Sequence, residues 1–404
     1  MKVVIIGGGA AGFFAALSVK KHHSGAEVTI LEKSSKFLAK VKVSGGGRCN
    51  VTNATFNNRV LSEKYPRGEK FLRKAFEEFN AKDTFEWFET RNVALHTYPD
   101  NCVFPKANDS QVIIDCFMRE AHRLGIDLFT SEGVKEIKKS GNNFLLITQT
   151  GEYTADKVIL TTGGQPKIEG FSILSNFDLQ IIPPVPSLFS FNISDTKLHM
   201  LMGNVIENAS ARIEGLKLKG IGPILVTHWG LSGPSILQLS AWGARVLNEK
   251  NYKFNLLVNW LGDFTEMQTK EILENAIMSH GNKLLLNFCP FPFTNRFWAY
   301  LLEKNNFTET LKWKELQGKL FNKLLNTLIN DPFKVEGKTT FKEEFVTAGG
   351  VSLEEIDVQT MQSKKVPGLY FAGEVMDLDG ITGGFNFQAA WTTGFIAGKL
   401  KPIK

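Results

Sequence analysis

Gly7, Gly9 and Gly12 stand at the spacing with which a backbone wraps a pyrophosphate, and Glu32 follows twenty residues after Gly12. In that pattern Gly7 permits a tight turn, Gly9 lets amides approach the phosphates, and Gly12 lets a helix pack on a strand. The helix start then turns its unpaired N–H groups toward the anion. A carboxylate at Glu32 would accept both hydroxyls of an adenosine ribose and repel a 2′-phosphate, which favours FAD or NAD over NADP. The elements that must position these residues are legible around them. Val3-Val4-Ile5-Ile6 reads as a buried parallel strand, a helix follows from Phe13 to about Lys21, and Val28-Thr29-Ile30-Leu31 is a second strand ending on Glu32. Glycines alone could be a turn in an ordinary α/β core; strand, turn, helix, strand and terminal acid together point to a dinucleotide site. The first apolar run is cut by glycines and lacks a small-residue cleavage site, which argues against a secretory signal.

Other stretches carry chemistry too. Ser44-Gly45-Gly46-Gly47-Arg48-Cys49-Asn50 lies in what reads as a loop from Lys33 to Asn53, flanked by Lys40 and Lys42. Three consecutive glycines cost backbone entropy, so this loop either approaches a ligand, with Arg48 facing a pyrophosphate or flavin ring, or is a flexible surface loop. Val158-Ile159-Leu160 reads as a buried strand running into Thr161-Thr162-Gly163-Gly164, where backbone at a sheet's carboxyl edge can meet a cofactor. Near the C-terminus, Gly368 to Phe371 reads as a strand, then come Gly373-Glu374, Asp377, Asp379-Gly380 and Gly383-Gly384-Phe385-Asn386-Phe387-Gln388, opening a helix that ends near Gly398. Amides near Asn386 would offer positive charge to the pyrimidine edge of a flavin. His228, in Thr227-His228-Trp229-Gly230-Leu231-Ser232-Gly233-Pro234, either serves as a general acid/base or holds its turn by a hydrogen bond. Cys49 adjoins Arg48, which would lower a thiol pKa, but no resolving cysteine is near in sequence and a structural role is favoured.

A chain of 404 residues suggests two or three domains, and 43% hydrophobic with 22% charged residues fits a soluble globular protein. No apolar stretch reaches the length of a membrane span. The net charge of +6, without a dense Lys/Arg block, fits an anionic cofactor or weak nucleic-acid contact. Cys49, Cys102, Cys116 and Cys289 show no CxxC spacing, which argues against a disulfide framework or zinc site and for a reducing cytoplasm. Phe71, Leu72, Ala75, Phe76 and Phe79 share one helical face, and Phe85, Trp87 and Phe88 begin another. Asn108-Asp109-Ser110-Gln111 resembles a cap with Gln111 reaching back, ahead of a helix to Leu124. Short strands are expected at Ile126–Phe129 and Gly133–Ile137, and a β-meander over 144–154. Pro183, Pro184 and Pro186 read as a stiff linker into an inserted β domain, which Phe333 to Phe341 re-enters after helices over 264–330. The helical stripe Leu316, Leu320, Phe321, Leu324, Leu325, Leu328 reads as core. The expected domains are 1–188 with 342–404, 189–260 with 331–341, and 261–330.

Four motifs, Gly7 to Gly12, Ser44 to Asn50, Thr227 to Pro234 and Gly373 to Gln388, make the whole chain resemble the aminoacetone oxidase-like FAD-binding family. That family also includes enzymes proposed to reduce bile-acid intermediates. The resemblance implies an α/β fold: a doubly wound, Rossmann-like FAD-binding domain built from both chain ends, with an inserted β-barrel-like plus helical region. By the same resemblance Gly7, Gly9, Ala10, Ala11 and Gly12 hold the FAD diphosphate, and Glu32 holds the adenosine ribose. Lys33 and the segment from Lys40 through Ser44, Gly45, Gly46, Gly47 and Arg48 to Asn50 would line the cofactor, and Val134 would meet the adenine through its backbone. Gly373, Glu374, Asp379, Asn386 and Phe387, with Gly380 and Gly384 of the same motif, would close over ribitol and isoalloxazine. The ribitol hydroxyls are left to Glu374, Asp377 or Asp379.

The activity so implied is that of an FAD-dependent oxidoreductase passing hydride through flavin N5 on a small organic substrate, by amine or ketone oxidation or by enone reduction. No second strand-flanked G-x-G-x-x-G is present, so NAD(P)H would serve only as a transient electron donor. Two rivals stand beside this reading. One is a flavoenzyme modifying tRNA, with Lys304, Lys312, Lys314, Lys319 and Lys323 as its footprint. The other is a non-catalytic flavin sensor. A small-molecule partner is expected, with nucleic acid disfavoured and no membrane.

Overall fold

The computed structural model describes residues 1–339 and 346–403. They form two compact units, one from Met1–Ser187 with the C-terminal segment, the other beginning at Leu188 and reaching the end of the Asp331–Thr339 strand. The expected boundary at 341 and 342, and the return as far as Phe341, lie outside the described residues.

In the first unit the apolar runs become a five-stranded parallel sheet, because strands covered on both faces need no alternation. Its order is Leu369–Phe371, Lys157–Leu160, Lys2–Ile6, Glu27–Leu31, Asp127–Phe129. The last strand of the chain thus lies two places from the first, with only Lys157–Leu160 between them. The Ala10–His22 helix is buried continuously from Ala11 to Val19 and packs on the Phe385–Gly398 helix. Gly394 and Gly398 make that approach possible: an added Cβ would lie 2.7 Å from the Ala11 carbonyl oxygen and 2.4 Å from that of Ala15. Phe14 and Trp391 meet at 5.4 Å between ring centroids, Phe117 and Trp391 at 5.4 Å, and Phe14 and Trp87 at 4.8 Å. Each fully buried ring contributes about 1.5–3 kcal/mol, so the two chain ends are held together by one shared core.

Several local expectations are corrected. The proline segment is a strand, Ile181–Ser187, antiparallel to Val346–Val351. Its register slips between Ile182 and Val185, where Pro183 and Pro184 have no N–H to give a ladder. The expected loop before Asn53 contains a kinked helix, Ala39–Gly47, that breaks at Ser44 and passes into left-handed glycines. At the Gln111–Arg123 helix the Gln111 side chain does not reach back but bonds Asp115, while the Ser110 hydroxyl donates to the Lys42 carbonyl. The strand expected at Gly133–Ile137 starts later, as Glu136–Ser140, and opens the meander with Asn143–Ile147 and Glu152–Ala155.

The second unit holds a closed six-stranded barrel. Ser190–Ile193, Gly230–Ser232, Lys219–Thr227, Val205–Ile213, Phe254–Asn259 and Asp331–Thr339 follow one another around it. Helices Glu266–His280, Asn295–Lys304 and Gly318–Ile329 lie between the last two strands in sequence, the first opened by a capping box between Thr265 and Gln268. Leu316, Leu324, Leu325 and Leu328 are buried, as a core stripe requires, while Leu320 is exposed. No helix among the described residues is long and apolar enough to cross a membrane.

Candidate functional site

The carboxyl ends of the Lys2–Ile6, Lys157–Leu160 and Leu369–Phe371 strands bring the motif residues of the first unit together. Gly7 turns with φ +111° while its N–H donates to the Leu31 carbonyl at 2.8 Å and its own carbonyl accepts from the Thr161 hydroxyl at 2.8 Å. Gly12 is walled in, since a Cβ there would lie 2.0 Å from the Gly7 oxygen. Gly9 has no atom within 4 Å of its Cβ position. The motif therefore has two glycines closed by the fold, Gly7 and Gly12, and one facing open space, Gly9, beside the first-turn amides of Ala10, Ala11 and Gly12, which no helical carbonyl can reach.

Glu32 sits at the end of its strand with its carboxylate oriented from both sides. Oε2 accepts the Gly8 N–H at 2.8 Å, and Oε1 accepts the Ser34 N–H and hydroxyl, each at 2.8 Å. The Glu32 carbonyl accepts the Glu132 N–H, and Lys33 packs over Gly133, so half-exposed Val134 follows directly on a segment docked beside Glu32.

Ser44 is extended, and Gly45, Gly46 and Gly47 take φ of +57°, +68° and +84°. Gly46 and Gly47 border open space, and the Arg48 guanidinium lies over the Phe104 ring, 4.5 Å from its centroid. The Asn50 side-chain oxygen accepts the Val103 N–H and sits against Gly384, whose Cβ would lie 2.8 Å from it and 2.4 Å from the Thr52 carbonyl. Thr52 bonds Gln388, and the Trp391 indole donates to the Val51 carbonyl at 2.8 Å. The glycine loop and the C-terminal helix start are thus one packed assembly.

Gly373 closes the other side, its Cβ position 2.8 Å from that of Ala11. The next residue, Glu374, pairs with Lys40 at 3.1 Å and accepts the Thr347 N–H at 2.9 Å. Gly164 fits against both: a Cβ there would lie 2.0 Å from the Thr347 hydroxyl and 2.3 Å from the Glu374 carboxylate, while neighbouring Gly163 is open. Asn386 braces the loop before its helix through the Gly380 N–H at 2.8 Å and the Gly380 carbonyl at 3.0 Å, and half-exposed Phe387 stacks on Trp391.

Asp379 departs from the ribitol role considered for it. Its carboxylate is fully buried, paired with the Arg67 guanidinium and accepting the Ser187 hydroxyl at 2.7 Å. Burial raises its pKa, with Arg67 opposing that shift. It anchors the loop from within and presents no carboxylate surface. Cys49 is also enclosed: burial pushes its thiol up to about 12, which removes the reactive thiolate. His228 belongs to the second unit, exposed at the turn between Lys219–Thr227 and Gly230–Ser232, with its ring 4.0 Å from that of Trp229. The turn is pinned by the Thr227 hydroxyl on the Gly230 carbonyl and by the Ile193 N–H on the Trp229 carbonyl. Of the basic residues considered as a footprint, Lys304 pairs with buried Asp331 at 2.6 Å and Lys323 donates to the Asn305 carbonyl at 2.6 Å.

Sequence reasoning missed Arg67 and Thr347. Thr347-Ala348-Gly349-Gly350 carried a signal, since two adjacent glycines inside a strand mark close backbone approach. Gly349 and Gly350 do meet the Pro183 and Val375 carbonyl oxygens, at Cβ distances of 2.6 and 2.4 Å.

Comparison with known proteins agrees with this architecture. A 3-dehydro-bile acid delta(4,6)-reductase of Clostridium scindens is 25% identical, over 98% of this chain and 98% of its own. A ribosomal RNA dihydrouridine synthase of Escherichia coli is 28% identical, over 97% and 96%. The solved structure of a 3-ketosteroid-delta4-(5alpha)-dehydrogenase from Rhodococcus jostii RHA1 superposes with a TM-score of 0.52 at 12% identity, over 98% and 96%, a likeness of fold. The family model described as the HI0933-like protein Rossmann domain matches residues 1–400, and the chain belongs to that family.

Proposed function

We propose that the chain is an FAD-dependent oxidoreductase that reduces a carbon–carbon double bond conjugated to a carbonyl group. The observation that carries the reading is the sorting of glycines along one strand edge: Gly7, Gly12, Gly164, Gly373 and Gly384 are closed against protein, while Gly9, Gly46, Gly47 and Gly163 border open space. At Gly9, whose φ of −92° any residue could adopt, a ligand in the open space explains the absent side chain, and the donors around it fit FAD. The amides of Ala10, Ala11 and Gly12 would hold the diphosphate, Glu32 the adenosine ribose, and Glu374, oriented by Lys40 and Thr347, the ribitol hydroxyls. The chemistry that the flavin supplies when bound is hydride donation at N5, here to the β-carbon of the conjugated bond. Asn386 fixes the loop that sets the helix-start amides, whose partial positive charge would favour an electron-rich pyrimidine edge. His228 is assigned the proton for the α-carbon, and NAD(P)H is the proposed source of electrons.

The relatives' names support the reaction class. A 3-dehydro delta(4,6) bile acid and a uracil ring both present a double bond conjugated to a carbonyl. A small-molecule enone is the first reading of the substrate, because Lys304 and Lys323 are engaged within the protein. A uracil in RNA is the second, favoured by the dihydrouridine synthase relatives. Anaerobic stopped-flow decides: the reduced holoprotein should be reoxidised by 3-oxo-delta4 compounds, with a gain of two hydrogens by mass spectrometry. Reoxidation by ribosomal RNA alone would select the second reading, and by neither would reject the class.

A further inference from the structure

In the first unit, Thr90, Arg91, Asn92, Arg119, Glu120 and Arg123 line a polar cleft of about 410 Å³ that the cofactor reading does not use. Glu120 is only 7% exposed and is the acidic partner of all three arginines, with Arg123 at 2.8 Å, Arg91 at 3.5 Å and Arg119 at 4.0 Å. No other acid pairs with them among the described residues. One carboxylate neutralises one cation, so two positive charges remain around the cleft.

The cations are also held in place. The Arg91 guanidinium lies 4.1 Å from the Trp87 ring centroid, and its Nη1 donates to the Trp87 carbonyl at 2.9 Å. The Arg91 carbonyl in turn accepts from Arg119 at 2.9 Å. Each guanidinium spends only one or two of its five N–H donors on these hydrogen bonds, and the buried Nε of Arg91 is turned toward Glu120, at 3.5 Å. Burial lowers the Arg91 pKa despite Glu120, whereas the hydrogen bond to Glu120 raises that of Arg123. A structural clamp on Glu120 needs one arginine. Arg91 is held by Trp87, and Arg119 and Arg123 keep spare forked donors, which match the oxygens of a tetrahedral anion.

We propose that this cleft binds the phosphate group of a small anionic ligand, as a second site separate from the Gly7–Gly12 turn. Arg119 and Arg123, the more exposed pair, supply forked donors, and Arg91 supplies a fixed charge behind them. The proposal stands on this cluster alone and is independent of the redox reading.

The test is isothermal titration of the FAD-saturated protein with inorganic phosphate, pyrophosphate and ADP. Saturable one-site binding that weakens with salt is expected, with about a tenfold loss of affinity for each of Arg119→Gln and Arg123→Gln at unchanged FAD content. Arg73→Gln, outside the cleft, should bind as the wild type does. Tighter binding of ADP than of pyrophosphate would assign a nucleotide as the source; equal affinity would assign a free phosphate. The wild-type protein gives a check that needs no variant, since pyrophosphate should protect Arg119 and Arg123 from phenylglyoxal. Absent saturable binding, affinity unchanged in the double variant, or modification without protection would overturn the proposal.

Discussion

Gly9 and Gly12 belong to one motif, yet alanine at each should do opposite things. At Gly12 the new Cβ would lie 2.0 Å from the Gly7 carbonyl oxygen and 2.8 Å from the Thr161 hydroxyl. Such overpacking against backbone costs about 1–3 kcal/mol, more than the roughly 0.5–1 kcal/mol that alanine gains over glycine inside a helix. Gly12→Ala should therefore destabilise the apoprotein. At Gly9 the backbone is extended, with φ −92° and ψ −165°, and no atom stands within 4 Å of the Cβ position. Alanine is a poorer helix cap by about 0.5–1 kcal/mol, while its stiffer unfolded chain returns about 0.4–1 kcal/mol. The two offset, so apoprotein stability should change by less than about 1 kcal/mol. The methyl group would, however, stand where a phosphate must approach. Losing one charge-assisted hydrogen bond, about 1.5–3 kcal/mol, weakens FAD binding by about 10- to 150-fold. Urea unfolding of the apoproteins and flavin-fluorescence titration with FAD measure the two quantities separately. The reasoning is refuted if Gly9→Ala binds FAD as the wild type does, or if it loses as much stability as Gly12→Ala.

Glu32→Ala should weaken FAD retention by about 10- to 100-fold in equilibrium dialysis, because a carboxylate fixed by Gly8 and Ser34 is lost. Arg67→Leu should cost about 3–5 kcal/mol in urea unfolding, because it strands a buried Asp379; a cost below 1 kcal/mol would show that the pair does not anchor the loop. His228→Ala should lower kcat by about 100-fold or more with FAD still bound, and loss of FAD instead would make His228 scaffolding. Cys49 should resist a thiol reagent at pH 8 until the protein unfolds. Its folded pKa, about 12, exceeds the ordinary 9.0, so its stabilising contribution is complete below pH 9 and withdraws as pH rises toward 12.

The parallel sheet was readable because Val3–Ile6 and Val158–Leu160 are unbroken apolar runs, a pattern set by local chemistry. The helix starting near Phe385 was readable for a related reason, its glycine turn. The Ile181–Ser187 strand was hidden because prolines usually forbid a ladder, and only pairing with Val346–Val351, far away in sequence, reveals the slip that admits them. The site divides in the same way. Glycine spacing marked where backbone must come close, but whether a glycine is closed or open depends on neighbours such as Thr161 and Glu374, which the chain brings from elsewhere. Asp379 and Glu374 were indistinguishable as acids in one loop. Arg67 and Lys40, hundreds of residues upstream, are what turn one inward and leave the other at the cradle.

The central claim is that both chain ends grip one flavin nucleotide, and an experimental structure of the FAD complex tests it most directly. The account predicts a single FAD per chain, its diphosphate on the amides of Ala10 to Gly12 and its isoalloxazine beside the helix start at Asn386. A flavin touching only one of those ends, or a protein that takes up no FAD under saturating conditions, would contradict it.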